Sequence, residues 1–113
     1  ERLAAYGVRA TAVAPEEVRV GVRATLGFRP TTTADQKGQA RRAASQAISY
    51  YLNNLRIGEA AYTDQIERAA LNASEYILEV NMNFMSINDS LRLPENVFIE
   101  KYERIISSEL LIS

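Results

Sequence analysis

The chain has 113 residues, the size of one ordinary domain, enough to bury roughly two-thirds of the surface its unfolded form exposes. Thirteen Lys and Arg against 14 Asp and Glu leave a net charge of -1, which lacks the electrostatic footprint of a domain that works on a phosphate backbone, so nucleic acid is not an expected partner. With no Cys and no His, disulfides and thiolate metal sites are excluded and the commonest general base and metal ligand are absent; no apolar run approaches the roughly 20 residues of a membrane span.

In chain order, residues 8–14 (VRATAVA) alternate apolar and polar, and Pro15 with two glutamates breaks them from the next segment, so residues 1–15 read as an arm or linker from a preceding domain. The start at Glu1, without a methionine, predicts a longer parent chain. From Glu17 to Phe28 the alternation is strict: Val18, Val20, Val22, Ala24, Leu26 and Phe28 against Arg19, Gly21, Arg23, Thr25 and Gly27. This is the period-2 signature of a long strand with one buried face. Gly21 and Gly27 have no phosphate-loop spacing and are expected to mark bulges or close backbone approach. Thr33 with Gln36 three residues on forms a capping box, and Ala40, Ala43, Ala44, Ala47, Ile48, Tyr51, Leu52 and Leu55 recur as one apolar stripe, so the spacing predicts a helix over 34–56. Asn53, Asn54 and Gly58 end it, with Gly58 as the left-handed residue after the helix.

Thr63 is the expected cap of a second helix over 63–72, with Asp64 in its first turn. Period 2 returns over 76–86, with Tyr76, Leu78, Val80, Met82 and Phe84 expected on one face and Ile77, Glu79, Asn81, Asn83 and Met85 on the other. Residues 87–94 are turn-rich. Val97–Ile112 carries both a helical spacing (Phe98, Tyr102, Ile105, Ile106) and strand-like words (RIIS, ELLI), and strand is the reading taken for 104–112. The expected fold is α+β over residues 16–113: a small, mostly antiparallel sheet packed by two helices.

No catalytic constellation emerges from these elements. Glu75 and Glu79, four apart, are formally a carboxylate pair for acid-base or Mg²⁺ work, but a solvated strand face is the preferred reading. Glu79, Asn81 and Asn83, flanked by Ile77 and Met85, suit a polar contact surface for a partner. Tyr50 and Tyr51 are adjacent on a helix and so point to different sides; Tyr50 joins the candidate interface residues. No cofactor or metal site is expected, and no enzyme activity.

The words APEEVRVGVRATL, AISYYLNNLRIGEAAYTDQI and YILEVNMNF, in this order over residues 14–84, resemble the C-terminal region of phage baseplate J-like proteins, wedge components of contractile and related tails. Members of that family are usually several times longer. Ala73–Tyr76 (ASEY) stands where they carry a small turn element, and residues 86–113 match none of their words. The resemblance implies a structural virion protein of the tail baseplate, assembled in the host cytoplasm through contacts with other baseplate proteins and with copies of itself. It also implies that Leu55, Ile57, Gly58, Glu59 and Tyr62 are a fold-defining corner bordering an interface. The alternative on the residues alone is a free-standing α+β ligand-binding or regulatory module.

Overall fold

The computed structural model describes residues 15–113, so the arm read at 8–14 lies outside the described residues. Strand β1 (Glu16–Phe28) leads to helix α1 (Ala34–Asn53), helix α2 (Thr63–Leu71), strand β2 (Ile77–Ile87), the short strand β3 (Ser90–Arg92) and strand β4 (Glu103–Ile112). The four strands form one sheet in the order β3-β2-β1-β4, with both helices on one face. This is the expected α+β architecture, with two differences in the sheet. A fourth strand forms inside the turn-rich 87–94 segment, and β4 runs parallel to β1, which makes the sheet mixed while β1-β2 and β2-β3 are antiparallel.

β1 explains why the fold takes this shape. Its alternate side chains Val18, Val20, Val22, Ala24 and Leu26 are buried and meet Ala40, Ala44, Ile48 and Leu52 of α1 in one core, which also takes in Ile66 and Ala70 of α2, Ile77 and Met85 of β2, and Ile105 of β4. Every buried non-glycine residue among those described is apolar. Small alanines in the first half of α1 let helix and sheet approach closely, and Ile48 and Leu52 supply volume in the second half.

The capping box forms as read: the Thr33 hydroxyl accepts from the Gln36 amide while the Gln36 side chain accepts from the Thr33 amide. Helix α1 ends three residues short of the expected 56. Its cap is Asn54, whose side-chain nitrogen donates to the Tyr50 carbonyl at 2.7 Å, so Gly58 is not the helix stop. Thr63 does not cap α2 either. It is the first helical residue, and its amide and hydroxyl both donate to the side-chain oxygen of Asn96, which caps the helix from a distant loop.

The faces of β2 differ from strict alternation. Arg23 pairs with Phe84 but Ala24 with Met82, and Gly27 pairs with Glu79 but Phe28 with Ile77, so Asn83 and Leu78 are extra residues in two bulges. Each bulge shifts the phase by one residue. Val80 and Met82 face the helices as expected, while Ile77 and Met85 turn inward against expectation and Leu78 and Phe84 turn outward. A third bulge lies in β4, where Gly21 alone stands opposite Ser108 and Glu109. A Cβ on Gly21 would lie 2.8 Å from the Glu109 carbonyl oxygen, and Gly27 sits at the β2 bulge, so both glycines mark bulges. The Asn88-Asp89 turn joins β2 to β3 with φ of 50° and 70°, a two-residue hairpin of the left-handed type. It closes on β1: the Asn88 side chain accepts from the Arg19 amide, the Asn88 amide donates to the Arg19 carbonyl, and Asp89 pairs with the Arg19 guanidinium at 2.7 Å.

Ile48 is fully buried between α1 and the sheet, so Ile48→Ala is expected to cost about 2–5 kcal/mol, read as a large fall in the urea midpoint with an unchanged m-value.

Candidate functional site

The corner that follows α1 is built by two segments that are distant in sequence. Gly58 adopts φ +81°, and its amide donates to the Glu103 carbonyl at 2.7 Å, which ties the corner to the first residue of β4. A Cβ there would stand 3.2 Å from the Lys101 Cα and 3.3 Å from its carbonyl oxygen, so glycine is required by conformation and by space. The Glu59 carboxylate accepts from the Arg56 amide at 2.8 Å and the Glu59 amide donates to the Arg56 carbonyl, closing the turn on itself. Leu55 is buried in the core. Beyond the turn, Ala61 bridges Val97 in both directions, and the Tyr62 amide donates to the Tyr51 hydroxyl.

Four large apolar side chains stand out from these two adjoining segments. Ile57 is 55% exposed, Tyr62 42%, Phe98 72% and Tyr102 56%, and the Tyr62 and Phe98 rings meet edge to face with centroids 6.1 Å apart. The structure therefore brings the five corner residues together, Leu55 inward and Ile57 and Tyr62 outward, with Gly58 and Glu59 forming the turn between them. Sequence reasoning missed Phe98 and Tyr102 as surface residues, because their spacing with Ile105 and Ile106 suits a helix that does not form, and the segment is placed instead by the Ala61–Val97 bridge and the Gly58–Glu103 hydrogen bond.

Asn53 was also missed as an anchor. Its side-chain oxygen accepts from the Ser107 amide at 2.8 Å and its nitrogen donates to the Ser107 and Ser49 hydroxyls, while its carbonyl accepts from the Arg104 guanidinium. The last residue of α1 thus grips β4 at the edge of the sheet. An asparagine doublet at a helix end is the signal that could have found it, one asparagine closing the helix and the other free to reach outward.

The candidate interface residues do not form one site. Tyr50 lies on α1, with its side chain solvent-exposed, whereas Glu79, Asn81 and Asn83 lie on the sheet face that no helix covers. There the three make a self-satisfied polar ribbon: the Thr25 hydroxyl donates to the Asn83 side chain at 2.9 Å, and the Asn81 amide nitrogen lies 3.4 Å from the Glu79 carboxylate, which rests over Gly27. Glu75 and Glu79 are both exposed. Among the described residues no group of three or more Asp or Glu stands close enough to hold a metal ion, and no helix is long and apolar enough to cross a membrane.

No protein-family model and no curated protein sequence matches the chain.

Gly58→Ala is expected to destabilise by about 1–3 kcal/mol through the left-handed backbone and the Lys101 contact, and Asn53→Ala by about 1–2 kcal/mol through the partner-less Ser107 amide. Chemical denaturation measures both. Tyr62→Ala, which removes only an exposed ring, is expected to stay within about 1 kcal/mol of the parent.

Proposed function

We propose that this chain is a structural subunit of a phage-tail baseplate or a related injection apparatus, working in the virion by contact with other baseplate proteins and with copies of itself. The observation that carries the reading is the exposed group Ile57, Tyr62, Phe98 and Tyr102 on two segments locked together at the Gly58 corner. Large rings held on a rigid corner give contact area at low entropic cost, which is the usual make-up of an interface anchor. The resemblance to baseplate J-like proteins supports the same reading, since its recognisable words span β1, the end of α1, this corner and the start of β2. With 16 to 113 as a single small domain and no covalent cross-link, repeated copies and neighbouring subunits would add stability by mass action.

Co-expression with the tail proteins encoded beside its gene, followed by size-exclusion chromatography with light scattering, tests the reading. The chain is expected to elute in a complex, and Tyr62→Ala with Phe98→Ala to weaken that complex by at least about tenfold while the thermal melt stays the same. A chain that ignores every tail protein would count against it.

A further inference from the structure

The face of the sheet that the helices leave open carries a projection and a recess side by side on its central strand. Arg23 is exposed, pairs across the sheet with Phe84 on one side and Leu111 on the other, and forms no ion pair among the described residues. Two residues earlier on the same face, Gly21 is buried beneath the Ser86 side chain and the Glu109 carbonyl, and beside it lies a recess of about 230 Å³ lined by Arg23 itself with Ser86, Leu91, Ser108, Asp89 and Glu109. Glu109 likewise forms no ion pair among the described residues, and the bulge sets Ser108 and Glu109 opposite Gly21 at the edge of this recess.

We propose that this face pairs with the same face of a second copy about a two-fold axis crossing the strands between Gly21 and Arg23. Side chains two apart on a strand face are separated by roughly 7 Å, so such an axis sets each Arg23 over the recess of the other copy, where Glu109 receives the guanidinium beside an Asp89 that its own Arg19 already engages. Phe84 and Leu111, flanking Arg23, enter with it and are withdrawn from water. The strands of the two sheets then run aligned, the common geometry for sheets packed face to face. Charge is complementary in both directions, because the Arg23 guanidinium and the Glu109 carboxylate stand on the same face of each copy. The area suffices as well. Four strands at about 4.8 Å spacing, three of them ten residues or longer, present on the order of 600 Å² in plan, and side-chain relief raises this toward the ~800 Å² per partner of a standard interface.

This pairing goes beyond the baseplate reading and uses a surface separate from the Tyr62–Phe98 corner. Sedimentation equilibrium of the full chain across the micromolar range is expected to give twice the monomer mass. Arg23→Glu and Glu109→Arg each alter an exposed side chain, so both should keep the parent circular dichroism and thermal melt while raising the dimer dissociation constant at least about tenfold. An equimolar mixture of the two variants restores both charge pairs in one heterodimer and should regain the parent mass. Tyr62→Ala with Phe98→Ala should leave the dimer intact even where it abolishes capture by tail proteins, so loss of one association does not mimic loss of the other. A monomer at every concentration, a dimer indifferent to Arg23→Glu, or a mixture that stays monomeric would overturn the proposal.

Discussion

The alternate side chains Val18, Val20, Val22, Ala24 and Leu26 hold β1 against α1, and each other element is placed by how it meets that buried stripe. β1 sits inside the sheet, with an antiparallel neighbour on one side and a parallel one on the other. Its exposed alternate positions make the middle of the open face, so the same strand sets both the core and the surface available to partners. A change that shifted β1 by one residue would exchange the two faces at once.

Parallel pairing of β4 demands a connection that carries the chain back to the start of β1, and the corner around Gly58 makes that return possible. Asn53 fixes Ser107, Gly58 fixes Glu103 and Asn96 caps α2, so the helix end, the corner and the last strand are locked by side-chain and backbone bonds at distances of 2.7–2.9 Å. These are the bonds that stand the rings of Tyr62 and Phe98 in water on a rigid base.

Much of this was legible from the residues. The strict alternation of 17–28, the Thr33–Gln36 box and the apolar stripe of α1 carry local signals strong enough to identify strand, cap and helix. The faces of β2 escape such reading because alternation does not carry across two adjacent apolar pairs, Ile77-Leu78 and Phe84-Met85. The bulges fall at Leu78, within the first pair, and at Asn83, just before the second, and there the phase changes. The parallel sense of β4, the cap from Asn96 and the exposed rings of residues 93–102 depend on contacts between distant segments, which no local pattern encodes. For the corner, the sequence showed that Gly58 turns left-handed but not that its amide reaches β4.

The pairing of β1 with β4 joins the first described strand to the last, from Glu16 with Glu103 to Ala24 with Ile112. Such a contact closes the longest loop among the described strands and meets its entropic cost before the core rewards it, which slows folding relative to a fold built from neighbours. On the ribosome β1, both helices and the β2-β3 hairpin emerge before β4, leaving one flank of the central strand unpaired until β4 has been made. The order of strands therefore makes this domain vulnerable during its own manufacture, and rapid encounter with a neighbouring chain at that stage would decide between orderly assembly and aggregation.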